Sequence, residues 1–86
     1  IDPGEVSAWL KALPGVTRIH DLHIWAMSTT ESALTVHLVM PEGSDDHFLQ
    51  ELTEGLERRF GIGHTTVQIE RQDVGDGCRE KGIGPI

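Results

Sequence analysis

Histidine, carboxylate and thiol side chains are the residues of this sequence best suited to chemistry. His20 and His23 lie in one apolar segment, His37 lies in the next, and Glu70 and Cys78 follow near the C-terminal end. Imidazole nitrogens, a carboxylate oxygen and a thiolate are typical zinc ligands in proteins. These five residues therefore form a candidate zinc-ligand set.

The spacing of these residues also permits a structural interpretation. The sequence contains no HxxxH or CxxC pattern, which would be a more specific metal signal. In the structural interpretation, His20 or His23 hydrogen-bonds at a strand end and His37 lies in a polar sheet face. Glu70 is then a solvated acid, and Cys78 is an ordinary thiol.

A smaller polar group lies at Asp45, Asp46 and His47. Acids at the start of a helix are stabilised by the helix dipole, which is a sufficient reason for both aspartates. His47 gains nothing from that position, so a second, peripheral cation site at Asp46 and His47 is the alternative. His64 is predicted to be a solvent-exposed loop residue.

Length and charge limit the classes of function. The 86 residues include 14 Asp and Glu against 7 Lys and Arg, which gives a net charge of -7 with the five histidines neutral. This charge argues against nucleic acid or anionic lipid as the main partner and favours cations. A chain of this length forms one small domain, and no nucleophile signature or phosphate-binding glycine loop occurs in it. We therefore do not expect an enzyme.

The setting of the chain is predicted from three further features. No apolar run approaches the roughly 20 residues needed to cross a bilayer. The single cysteine excludes an internal disulfide and favours a reducing, intracellular compartment. The chain starts at Ile1 without a basic, apolar leader, so we expect a domain excised from a longer protein.

Two helices and three strands are predicted from hydrophobic periodicity and capping residues. In chain order they are a helix at about 2–13, strands at about 16–27 and 34–40, a helix at about 44–60 and a strand at about 65–70. This α-β-β-α-β order predicts an α+β fold, with both helices on one face of a three-stranded sheet. We expect a domain at 1–72 and a flexible, glycine-rich tail at 73–86.

The second face of the sheet has nothing in the sequence to cover it. It is predicted to carry Trp25, His37 and Val39, so a partner surface is expected there, and a second copy of the chain is the simplest partner.

Strand alternation decides which histidine of the first strand shares a face with His37 and Glu70. Strict alternation puts His23 on that face and His20 on the other. His20 joins the group only if the strand contains a bulge or begins after it.

The stretch IHDLHIW at 19–25, followed by LTVHL at 34–38, closely resembles the cytoplasmic C-terminal domain of the cation diffusion facilitators. This family exports zinc, cobalt and cadmium, and its bacterial heavy-metal resistance exporters give the nearest resemblance. The segments at 14–16, 58–60 and 66–70 match as well, so the resemblance covers about residues 5–72.

The resemblance implies a metallochaperone-like αββαβ fold, related to the ferredoxin-like folds, that forms a V-shaped homodimer below a six-helix membrane domain. It implies metal ligands at His20 and His37, and in some members at Glu70 and Cys78. Relatives also use a residue at the start of the second helix, where this chain has Asp46 and His47. The transport site of the family lies in its membrane helices, outside this sequence.

Together, these features predict a regulatory domain on the cytoplasmic side of the bacterial inner membrane. Such a domain binds zinc, or cobalt or cadmium, and dimerises to stabilise or activate the attached transporter. The alternative is a purely structural dimerisation module whose histidines are incidental. A small-molecule regulatory domain is disfavoured, because nothing in the sequence positions a nucleophile or a general base.

Overall fold

A computed structural model describes residues 1–72 of the chain. The elements are α1 (Pro3–Lys11), β1 (Arg18–Ala26), β2 (Ser32–Val39), α2 (Asp46–Phe60) and β3 (His64–Glu70). The predicted α+β fold with the order αββαβ is confirmed.

Both helices begin at an aspartate cap. The Asp2 side chain accepts a hydrogen bond from the Gly4 backbone N–H at 2.8 Å, and the Asp45 side chain accepts one from Phe48 at 2.9 Å. Each cap satisfies a backbone donor that has no partner within the helix. At the other end, α2 stops at Gly61, which has a left-handed φ of 73°. This conformation costs glycine little.

The sheet has the order β1-β2-β3, so β2 is the central strand. β2 pairs antiparallel with β1 across a short connection and parallel with β3. A parallel pair needs a crossover between its strands, and α2 provides it. This arrangement brings the C-terminal end of β3 beside the C-terminal end of β2.

The hydrophobic core lies between the two helices and one face of the sheet. Alternate residues of β2 point into it, as the pleat of a strand requires. Its buried members are Val6, Leu10, Leu34, Val36, Leu38, Met40, Leu52, Leu56 and Ile62. Burying each of the larger side chains stabilises the fold by about 1.5–3 kcal/mol. Because buried residues of both helices belong to this one core, both helices cover the same face of the sheet and leave the other face open.

The two helices pack closely at Gly55. A Cβ atom at this position would lie 2.5 Å from the Cη2 and Cζ2 atoms of Trp9. The Trp9 ring makes an edge contact with Phe60, at 6.2 Å between ring centroids, and the Arg59 guanidinium lies 5.8 Å above it. Neighbours on two sides therefore restrict the movement of this ring.

We expect Gly55→Ala to destabilise the chain by about 1–2 kcal/mol, because overpacking outweighs the better helix propensity of alanine, which is worth about 1 kcal/mol. Gly63→Ala is the matched control, since a Cβ atom at Gly63 would meet open space for 4 Å around it. Urea unfolding of both variants measures the difference. A Gly55→Ala variant as stable as the wild type would contradict this packing.

The open face of the sheet carries Trp25 and His37, as predicted. Trp25 is 48% exposed, and Met27, just after β1, is 52% exposed. Val39 lies on the open face as well, as predicted, but it is only 2% exposed.

The burial of Val39 follows from its place on the central strand. Its register partners are Arg18 on β1 and Glu70 on β3. Residues that pair across strands share a face, and long side chains on both sides shield a short one between them. Val39 therefore offers little area to a partner.

Neither helix described at residues 1–72 has the length and apolar character that a membrane span requires.

Candidate metal centre

A β-bulge interrupts β1 between His20 and His23. Two residues, Asp21 and Leu22, lie there opposite the single residue Val36 of β2. Asp21 has a φ of 55°, in the left-handed region that aspartate tolerates better than most residues. The bulge is therefore built on a residue type suited to it.

The bulge changes which side chains share a face. His20 pairs with His37, and His23 pairs with Thr35, so both histidines of β1 lie on the open side of the sheet. The condition under which His20 joins His37 is thus met. Strict alternation places His20 on the other face, which is wrong because the extra residue in β1 resets the alternation. His23 lies on the open face, as alternation predicts, but outside the cluster.

Three strands each contribute one side chain to a compact cluster. His20 Nε2 lies 2.8 Å from Glu70 Oε1, and His37 Nδ1 lies 2.8 Å from Glu70 Oε2. The two imidazole rings make an edge contact at 4.9 Å between centroids. One donor atom from each of the three residues lies within 4.8 Å of the other two.

The cluster is largely shielded from solvent. The His20 side chain is 3% exposed, that of Glu70 is 9% exposed and that of His37 is 20% exposed. Burial raises the pKa of Glu70, but the hydrogen bonds from His20 and His37 and the charges of these imidazoles outweigh it. The net effect is a pKa below the usual value for glutamate.

The lowered pKa of Glu70 has a consequence for stability. Because the carboxyl group ionises more readily in the folded chain than in the unfolded chain, its ionised form stabilises the fold at neutral pH. This contribution is lost as the pH falls through the lowered pKa. Glu70 is therefore a carboxylate, and a hydrogen-bond acceptor only, throughout the neutral range.

The donor set fits a zinc ion. Zinc binds imidazole nitrogen at about 2.0–2.1 Å and carboxylate oxygen at a similar distance, so two donors on a tetrahedral ion lie about 3.3 Å apart. The present nitrogen-to-oxygen distances of 2.8 Å are shorter. An ion would therefore enter with a small outward movement of the Glu70 carboxylate.

The other predicted ligands do not join this cluster. His23 is exposed, and Asp46 and His47 are exposed at the start of α2. His47 instead pairs with Glu51, at 3.1 Å between Nε2 and Oε2. Within residues 1–72, the one group of three metal-binding side chains is the cluster on the open face. Cys78 lies outside the described residues.

His64 also has a clear place. It is half exposed, as predicted, but it is the first residue of β3 and not part of a loop. Its Nε2 atom lies 3.6 Å from Glu31 Oε1. This is a surface ion pair, which contributes little to stability.

Asp21 also lies near the cluster, although the sequence predicts no role for it. Its Oδ2 atom lies 3.8 Å from His20 Nδ1 and 4.0 Å from His37 Nε2. The signal in the sequence was an aspartate inside a strand, where this residue type is disfavoured.

Comparison with known proteins places the chain in a family. Residues 1–72 match the family described as the cytoplasmic domain of cation efflux proteins. The chain is 38% identical over 86 residues to a probable zinc transporter protein of Dictyostelium discoideum, covering 99% of the chain and 16% of that relative. It is 40% identical over 72 residues to the metal cation efflux system protein CzcD of Cupriavidus metallidurans, covering 81% of the chain and 23% of CzcD.

A solved structure gives the same result. The metal-bound C-terminal domain of the CzcD transporter is similar with a TM-score of 0.72 and 40% identity, over 81% of this chain and 99% of that one. The chain belongs to the family of cation efflux protein cytoplasmic domains, which confirms the resemblance of the IHDLHIW stretch. It spans about a fifth of the length of the curated relatives named above.

Proposed function

We propose that this domain binds zinc, or a related divalent ion such as cobalt or cadmium, through His20, His37 and Glu70, and thereby regulates an attached metal exporter. The observation that carries the proposal is the cluster of two imidazoles and a carboxylate with donor atoms within 4.8 Å. It is supported by the 40% identity to a domain solved with metal bound. The Cys78 thiolate is the proposed candidate for a further ligand.

The proposed site connects all three strands. His20 lies on β1, His37 on β2 and Glu70 on β3. When bound, the ion takes the place of the two side-chain hydrogen bonds to Glu70 that now join β3 to β1 and β2. An ion that binds only the folded chain stabilises it by about 2.7 kcal/mol at a concentration of 100 times Kd.

A second copy of the chain is the proposed partner of the open face. Exposed Trp25 and Met27 offer apolar area there, and the half-buried His37 lies on the same face. Each copy carries a charge of -7, so two copies repel each other and bound dications offset that repulsion. Regulation requires the ion to bind a closed form of the dimer more tightly than an open form, and a 10- to 100-fold difference in affinity corresponds to about 1.4–2.7 kcal/mol.

The proposed setting is the cytoplasmic side of the cell membrane, below the membrane domain of the exporter. The structural alternative is a dimerisation module in which metal has no regulatory effect. The two functions differ in whether the dimer changes its dimensions with metal.

Small-angle scattering of the 86-residue chain, with zinc and then with chelator, tests the proposed regulation. We expect the radius of gyration of a wild-type dimer to decrease with zinc and to recover with chelator. The His37→Ala variant is the control, and its dimer should keep the same dimensions in both solutions. A dimer that zinc leaves unchanged would support the structural module, and a monomer in all solutions would contradict the proposed dimerisation.

A further inference from the structure

We propose that Asp21 is a positioning residue that holds the imidazoles of His20 and His37 in the tautomers needed for metal binding. This inference rests on the proposed metal site and adds a residue to it. Two carboxylates, those of Glu70 and Asp21, flank the same pair of imidazole rings.

Each imidazole lies between Glu70 and Asp21. His20 points Nε2 at Glu70, at 2.8 Å, and Nδ1 at Asp21 Oδ2, at 3.8 Å. His37 points Nδ1 at Glu70, at 2.8 Å, and Nε2 at the same Asp21 oxygen, at 4.0 Å. We call the nitrogens that face Glu70 the inner nitrogens and those that face Asp21 the outer nitrogens. One oxygen of Asp21 thus faces both outer nitrogens.

The hydrogen bonds to Glu70 place a proton on each inner nitrogen. An ionised carboxylate only accepts, so the ring nitrogen that contacts it must donate. A metal ion binds a ring nitrogen only when that nitrogen carries no proton. Metal binding at the inner nitrogens of His20 and His37 therefore requires the other tautomer of both rings.

The change of tautomer conserves protons and charge. Each neutral ring releases the proton of its inner nitrogen to solvent and takes up one proton at its outer nitrogen. Both outer nitrogens then become N–H donors that face Asp21 Oδ2. This carboxylate oxygen is an acceptor for both of them.

Asp21 needs only a small movement to accept these hydrogen bonds. The present distances of 3.8 and 4.0 Å exceed the usual 2.7–3.2 Å for an N–H···O bond by about 1 Å. Carboxylates that accept the second N–H of a metal-bound histidine fix its tautomer and its orientation, and their loss typically costs 10- to 100-fold in metal affinity.

The backbone explains why aspartate suits this position. The bulge residue has a φ of 55°, which disfavours most side chains but is tolerated by Asp, Asn and Gly. Asp21→Asn and Asp21→Gly therefore remove the carboxylate while keeping the bulge. Glu57→Gln removes one negative charge at an exposed position outside every candidate site and is the matched control.

The test combines zinc affinity with the tautomers of His20 and His37, read from imidazole nitrogen shifts of the ¹⁵N-labelled 86-residue chain. With zinc, we expect the wild-type rings to carry their protons on His20 Nδ1 and His37 Nε2. Asp21→Asn and Asp21→Gly should bind zinc 10 to 100 times more weakly and lose these single tautomers. Glu57→Gln should stay within about twofold of the wild type, because this exposed carboxylate lies outside the cluster.

Two results would overturn the inference, and they are distinguishable. If both Asp21 variants bind zinc as Glu57→Gln does and keep the wild-type tautomers, Asp21 has no positioning role while the zinc site stands. If zinc changes the imidazole nitrogen shifts of neither His20 nor His37 in the wild-type chain, the proposed metal site itself is wrong.

Discussion

A chain that carries both His20→Ala and His37→Ala is expected to lose more than about 100-fold in zinc affinity. These two side chains supply two of the three donors that converge within residues 1–72. Loss of a residue that only supports a metal ligand already costs 10- to 100-fold, so loss of two ligands costs more. Isothermal titration calorimetry with zinc measures the affinity.

The control for this prediction is His23→Ala. His23 lies three residues from His20 on the same strand, but it is exposed and outside the cluster. We expect His23→Ala and His47→Ala to bind zinc within about twofold of the wild type, as surface substitutions generally preserve function. His37→Ala alone is a second test, and it leaves the buried His20 side chain in place. Wild-type affinity in the double variant would rule out this ligand assignment.

Zinc affinity is expected to fall as the pH drops from 7.5 to 5.5, because protons compete with zinc for the imidazole nitrogens and a protonated ring cannot bind metal. Two imidazole ligands make this decrease steeper than one would. The carboxylate ligand does not add to the loss, since the lowered pKa of Glu70 keeps it ionised across this range. Competition with a chromogenic chelator at each pH gives the affinity.

The His37→Ala variant sharpens the pH experiment. With one imidazole ligand left in the cluster, its affinity should be weaker at every pH and should fall less steeply over the same range. A wild-type affinity that does not change with pH would argue against imidazole ligands. An equally steep decrease in both chains would show that another protonating group controls binding.

The fold was predictable because its signals are local. Single residues mark the helix ends: the aspartate caps Asp2 and Asp45, and Gly61 after α2. The alternation of apolar residues in β2 identifies the face of this strand that packs in the core. Predicted ends were less accurate, since α1 stops at Lys11, before the apolar stripe that continues to Leu13.

The residue types of the candidate site were predictable from the sequence. Which histidine of β1 belongs to the site was not. His37 and Glu70 were assigned to one face by alternation alone. The choice of His20 over His23 depended on a bulge, which comes from the left-handed backbone of Asp21 and leaves no mark on the hydrophobic pattern. The place of Asp21 beside both rings follows from the same bulge.

The Val39 prediction shows a second limit of reading strands one at a time. Alternation gave the correct side of β2 for this residue. Its exposure, however, depends on neighbours from two other strands, Arg18 and Glu70. Pairing between strands is a long-range property, so exposure on an open sheet face cannot be derived from one strand.

One divalent ion is proposed to bind the cluster on the open face. Anomalous diffraction at the zinc edge, from crystals of the 86-residue chain soaked in zinc, tests it most directly. We expect a zinc peak bonded to His20 Nε2, His37 Nδ1 and a Glu70 oxygen. A zinc ion bound elsewhere, with both 2.8 Å hydrogen bonds to Glu70 retained, would contradict the account.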